Sequence, residues 1–122
     1  MSFNPSKEVN NALMIKIGMC LNLRTLILTG CEHITDEGIN NLIYGDKLKS
    51  KTPEGYEFLH TLKIGGLVSI SDQLYQLLKR CPSLTFLECN NLERLSDHFL
   101  DQVKSLSHIK TVLMNFTPNI SE

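Results

Sequence analysis

The 122-residue chain has no tryptophan, and its three tyrosines and five phenylalanines bring aromatics to only 7%. Charge of neither sign dominates: 12 Lys and Arg against 13 Asp and Glu leave a net −1. That balance removes the broad electrostatic case for a nucleic-acid or anionic-membrane binder. No apolar run approaches the roughly 18 residues of a membrane-spanning helix. The first residues, Met1-Ser2-Phe3-Asn4-Pro5-Ser6-Lys7-Glu8, hold neither the basic nor the apolar stretch of a secretory signal. Cysteine is sparse: Cys20, Cys31, Cys81 and Cys89 contain no CxxC or CxxH pair, so no zinc site is expected. Four cysteines allow three disulfide pairings. Each of them falls within an apolar pattern, however, where a free thiol behaves as a small hydrophobe. Reduced, buried cysteines in the cytoplasm or nucleus are the expectation.

What the chain does have is leucine, 20 of them with 10 isoleucines, within an ordinary 42% hydrophobic and 20% charged composition. In phase, these residues form a repeat. The first unit reads Cys20-x2-Leu23-x2-Leu26-x-Leu28-x2-Cys31-x2-Ile34-Thr35-Asp36, then Ile39 and Leu42. The second reads Leu59-x2-Leu62-x-Ile64-x2-Leu67-x2-Ile70-Ser71-Asp72, then Tyr75 and Leu78. The third reads Cys81-x2-Leu84-x2-Leu87-x-Cys89-x2-Leu92-x2-Leu95-Ser96-Asp97, then Leu100 and Val103. A fourth begins Ile109-x2-Val112-x-Met114-x2-Thr117-x2-Ile120-Ser121-Glu122. Leu59 to Leu84 and Leu84 to Ile109 are each 25 residues, whereas Leu23 to Leu59 is 36, so the first interval carries 11 extra.

Leu-x-Leu has the period of a strand, which puts both leucines on one face and the intervening residue on the other. Thr-Asp or Ser-Asp then supplies a capping oxygen and a negative charge for a helix N-terminus. Leu74, Leu77 and Leu78, then Phe99, Leu100 and Val103, continue at helical spacing. Each unit is therefore strand, turn and helix. One such unit cannot cover its own leucines, so neighbours must stack.

The run Cys-x2-Leu-x2-Leu-x-Leu-x2-Cys-x2-Ile-Thr-Asp-x-Gly-Ile-x2-Leu over Cys20–Leu42 resembles the cysteine-containing subclass of leucine-rich repeats. The resemblance covers about residues 20 to 122 and implies an α/β leucine-rich repeat solenoid. Such a fold is a short right-handed horseshoe with a parallel sheet on the concave face and helices on the convex face. The second cysteine of the motif becomes Leu67, Leu92 and Thr117 in later units, so a side-chain ladder at that position is broken. Family members include the substrate-binding halves of F-box proteins in ubiquitin ligases, and the mitochondrial ATP synthase coupling factor B group carries related repeats. A non-catalytic protein-interaction module is thus expected, with substrate recognition for a ubiquitin ligase as its specific form. The alternative is a structural or assembly factor, mitochondrial in the coupling factor B manner. Only 19 residues precede the first unit, so the F-box itself would belong to a longer parent or a separate chain.

Residues 1–19 read as an N-terminal capping helix or the end of a preceding repeat, with Val9, Leu13 and Ile17 on one helical face. Residues 20–122 form the repeat domain of about three and a half units. They end at Ser121-Glu122, where earlier units start a helix, as either a frayed stack or a piece of a longer array. The insertion at 45–55, with Lys47, Lys49, Lys51 and Pro53, is a loop. It serves as a contact loop or Thr52-Pro53 phosphorylation target, or is only a solvated excursion.

Asp36, Asp72 and Asp97 would line up in a stack, but helix capping accounts for them better than a metal does. His33, His60, His98 and His108 occupy different phases and do not converge. No nucleophile elbow or phosphate-binding glycine loop is present, so no catalytic residue, cofactor or metal is assigned. The functional surface is instead the outward face of the strands: Thr25, Ile27 and Thr29; Thr61, Lys63 and Gly65; Phe86, Glu88 and Asn90; Thr111, Leu113 and Asn115. Lys63 and Glu88 should be neighbours and could pair. Ile27, Phe86 and Leu113 have no evident core to enter, a mark of protein-binding surfaces, although Thr and Ile are also ordinary strand residues.

Overall fold

The computed structural model describes residues 1–20, 22–44 and 56–114. The insertion at 45–55, Asn115 and the rest of the fourth unit, with Thr117, Ile120 and Ser121, lie outside them. The elements are α1 (Asn11–Ile17), β1 (Thr25–Ile27), α2 (Asp36–Tyr44), β2 (Thr61–Lys63), α3 (Leu74–Leu78), β3 (Phe86–Glu88), α4 (Asp97–Lys104) and β4 (Thr111–Leu113). The four strands form one parallel sheet in chain order. The helices pack in the same order, α1 on α2, α2 on α3 and α3 on α4. This α/β arrangement is compatible with a repeat fold.

Register follows the leucine spacing. Thr25 pairs with Thr61, Thr61 with Phe86, and Phe86 with Thr111, intervals of 36, 25 and 25 residues. The 11 extra residues therefore leave the ladder intact. At the start of each strand one carbonyl accepts two N–H groups from the next: Arg24 O from His60 and Thr61, His60 O from Thr85 and Phe86, and Thr85 O from Lys110 and Thr111. Met1–Phe3 lies beside β1 in the same sense, with Ile27 N donating to Met1 O at 2.9 Å and Phe3 N to Ile27 O at 3.0 Å. Its frame, Met1-x-Phe3-x2-Ser6-x2-Val9-Asn10-Asn11, sits 25 residues before Leu26-x-Leu28-x2-Cys31-x2-Ile34-Thr35-Asp36.

One apolar cluster joins strands to helices. Leu26, Leu62 and Leu87 at the strand centres are fully buried, together with Leu74, Leu77 and Leu78 of α3 and Phe99 of α4. Tyr75 and Leu100, matched by phase to the buried Ile39, are only partly covered. The corresponding inward positions are Leu74 and Phe99, one residue earlier. In α2 that earlier position is Gly38, where a Cβ would sit 2.4 Å from Asn11 Oδ1 and 2.9 Å from Ile34 Cγ2. The glycine lets α1 approach, and Ile39 takes the apolar role instead. In α1, Met14 and Ile17 are buried while Leu13 is half-covered. After each of the first three strands the chain turns through a left-handed residue at the same phase: Gly30 (φ 79°), Gly66 (φ 79°) and Asn91 (φ 60°). Glycine and asparagine tolerate this conformation best.

Two of the aspartates, Asp36 and Asp72, differ from expectation. Asp36 does not cap its own helix: its Oδ1 accepts from Ser71 N at 2.9 Å and its Oδ2 from Ser71 Oγ at 2.6 Å. Asp72 accepts from Ser96 N at 3.0 Å and from Ser96 Oγ in the same way. Each carboxylate thus grips the Ser of the next unit, a serine that opens the following turn. Asn11 does the same one unit earlier, accepting from Thr35 N at 2.9 Å and donating to Thr35 Oγ1 at 2.8 Å. Local capping falls to Thr35 Oγ1, which accepts from Glu37 N, and Ser71 Oγ, which accepts from Gln73 N. The next partner in this series, Ser121, lies outside the described residues.

Charge-assisted bonds of this kind are each worth about 1.5–3 kcal/mol. We therefore expect Asp72→Ala to lower unfolding stability by about 2–3 kcal/mol in urea titration, because a part-buried N–H and hydroxyl lose their acceptor. Asp72→Asn should cost less than half as much, since Asn11 already fills the same role with an amide. Equal losses for the two variants would contradict the inter-unit role.

Candidate partner-binding face

Alternation along each three-residue strand sends its central residue, Leu26, Leu62, Leu87 or the partly buried Val112, inward and its neighbours outward. Two rows result on the outer sheet face: Thr25, Thr61, Phe86, Thr111, and Ile27, Lys63, Glu88, Leu113. Thr29 and Asn90 follow beyond the strand ends, with Gly65 buried between them. Asn115 lies outside the described residues. Ile27 and Phe86 are half-buried and Leu113 is 39% exposed, and none of the three belongs to the core or packs against it.

Lys63 and Glu88 stand side by side in register, but they do not pair as their adjacency suggested. The Lys63 ammonium lies over the Phe86 ring, 5.8 Å from its centroid. The Glu88 carboxylate turns along its own strand, where Oε2 accepts from Asn90 N at 3.2 Å. There it fills the space above Gly65, whose Cβ would meet Oε2 at 2.4 Å. Gly65 therefore makes room for a side chain of the next strand. The ring attracts the ammonium through the negative face of its quadrupole.

The remaining chemistry-bearing residues are dispersed. Among the described residues no three His, Cys, Asp or Glu side chains gather as a metal site requires. His33, His60 and His98 are exposed and His108 is half-buried; His60 Nδ1 lies 3.1 Å from Ser83 O. A polar cleft of about 370 Å³ between α3 and α4 is lined by Ser71, Asp72, Gln73, Gln76, Arg94, His98 and Gln102. Its Ser71 and Asp72 are already committed to the bonds between units. No helix among the described residues is long and apolar enough to cross a membrane.

Cys31, Cys81 and Cys89 are buried free thiols, whereas Cys20 is exposed, contrary to the expectation that all four are covered. The apolar phase at Cys20 does not translate into cover. Burial raises the pKa of Cys31 and pushes Cys81 up to about 12. Cys89 also rises to about 12, burial leading and the neighbouring Glu88 charge adding. Tyr56 stands at the phase of Cys20 and Cys81. Its hydroxyl donates to Leu42 O at 2.6 Å, and Cys81 Sγ donates to Leu77 O at 3.3 Å. Both close off carbonyls near the end of the preceding helix. A phenol in a cysteine slot gives no sequence signal, because it matches the motif in neither size nor chemistry.

No protein-family model matches the chain. A search of curated proteins likewise finds no match. Among solved structures, the chain superposes on one from the crystal structure of the Rad7 and Elc1 complex in yeast, with a TM-score of 0.74. The two are 14% identical, and the match covers 99% of this chain and 29% of that one. At that identity the likeness is one of fold, and this chain spans under a third of the length of its neighbour.

Native thiol titration at pH 7.5 is expected to find one fast-reacting group, Cys20, and to release three more only on unfolding. Fast reaction of two or more would contradict the packing described. The raised thiols also set a pH dependence. Folding favours their neutral form, so this stabilisation is complete below the ordinary thiol value of 9.0. It is lost progressively as pH rises from there towards about 12. The urea midpoint should therefore fall above pH 9 in the wild type, and less steeply in Cys89→Ala measured against its own neutral-pH midpoint.

Proposed function

We propose that the chain is a leucine-rich repeat solenoid and a non-catalytic protein-interaction module whose outer sheet face binds a protein partner. The observation that carries this is the placement of Ile27, Phe86 and Leu113 on one face, outside the core and bordered by Thr25, Thr61, Thr111 and Asn90. Apolar side chains with a polar rim are the usual composition of a protein contact. The repeat frame and the fold likeness to a chain from a two-protein complex support the same reading. Within it, the resemblance to the cysteine-containing repeats makes substrate recognition for a ubiquitin ligase the specific role we favour. A reducing compartment, cytosol or nucleus, suits its four free thiols.

The test is comparative affinity capture from cells with tagged wild type, Phe86→Asp, Leu113→Asp and, on the helical side, Gln73→Asp. Partners retained by wild type and Gln73→Asp should drop by about tenfold or more with either sheet variant, as for loss of an interface hot spot. Undiminished recovery with both sheet variants, each verified as folded by circular dichroism, would overturn the reading.

A further inference from the structure

The sheet face has a sign as well as an apolar character, and the sign comes from groups in register. The residue just before each strand is Arg24, His60, Thr85 and Lys110 in turn, the same four positions whose backbone carries the paired carbonyls and N–H groups. Arg24, His60 and Lys110 are exposed. The Arg24 guanidinium lies 5.9 Å from the centroid of Phe58, a ring that is 43% exposed, as Lys63 lies over Phe86. Arg24, Lys63 and Lys110 take no carboxylate partner among the described residues. The acids nearby are Glu88 and Glu57. Glu88 is turned away onto Asn90 N, towards the strand ends, and Glu57 is exposed beside Phe58. In a chain of net charge −1, three unmatched cations and two aromatic rings, Phe58 exposed and Phe86 half-buried, thus collect along one margin and the centre of this sheet.

We propose that this margin takes an acidic protein segment, with Asp or Glu alternating with apolar side chains, laid across the strands. This rests on the reading of the sheet face as the partner site and names the chemistry of that partner. Strands about 4.8 Å apart put the first and fourth margin positions about 14 Å apart, the length of about four or five extended residues. Alternation suits such a segment: carboxylates meet Arg24, Lys63 and Lys110, while the intervening side chains lie on Ile27, Phe86 and Leu113. Arg24 and Lys63 are already stacked on rings, so little of their side-chain freedom remains to be lost when a carboxylate arrives. Three cations are few beside the six to ten phosphate contacts of a typical nucleic-acid binder, which favours a protein segment.

Fluorescence anisotropy tests this with three labelled probes added to the whole chain. They are a peptide alternating Glu and Asp with Leu and Phe, its counterpart with Lys and Arg in place of the acids, and a single-stranded oligonucleotide matched in charge. The acidic peptide should bind about tenfold tighter than the other two, and less tightly as salt rises. Lys63→Glu should weaken it about tenfold, and Arg24→Glu or Lys110→Glu about threefold each. Lys79→Glu, which removes a cation stacked on Tyr75 at the end of α3 instead, should leave binding unchanged. Equal binding of the two peptides, equal or tighter binding of the oligonucleotide, no binding of the acidic peptide, or a loss with Lys79→Glu matching that with Lys63→Glu would each overturn the proposal. Its failure is separable from that of the broader reading: if Phe86→Asp abolishes cellular partner capture while Lys63→Glu preserves both capture and peptide binding, only the acidic specificity falls.

Discussion

Everything in this molecule depends on the inability of one unit to cover its own leucines. A three-residue strand and a helix of five to nine residues present an apolar side that only the next unit can close. The parallel ladder and the helix row are two views of that constraint, which fixes where polar groups can act. Inward positions are spent on Leu26, Leu62, Leu87 and their neighbours, so the strand side chains left for recognition among the described residues are those that alternate outward or lie at the strand margins.

Between units the structure adds a directional bond to the undirected apolar contact. Asp36 and Asp72, which end their turn motifs, reach forward to the serines that open the next, Ser71 and Ser96. Apolar stacking alone would tolerate sliding, whereas two hydrogen bonds to one carboxylate define a register. Backbone bridges of Thr35 with Ser69 and Ser71 with Arg94 run along the same seam. The helix start of one unit is thereby oriented by the unit before it.

The strand positions, the leucine frame and the outward rows were legible in sequence because period 2 and a 25-residue interval are geometric facts of the chain. The aspartate role was not, since a Ser-Asp pair before a helix satisfies local capping and inter-unit bonding equally well until the neighbour is in place. The alignment of Met1–Phe3 with β1 was hidden for a different reason: Met, Phe, Ser and Val fill its apolar slots with no leucine to mark them. Lys63 illustrates a third limit. Register placed it opposite Glu88, but which partner an ammonium takes depends on rotamers and on the Phe86 ring that the adjacent strand supplies.

The outer face carries the functional account, with Ile27, Phe86 and Leu113 supplying contact area and Lys63 supplying sign. Backbone amide shifts on titration with the captured partner provide the most direct measurement. The account predicts that shifts concentrate at residues 25–29, 61–65, 86–90 and 111–113, with α2, α3 and α4 little changed. Shifts concentrated on the helices, with the sheet residues unmoved, would contradict it.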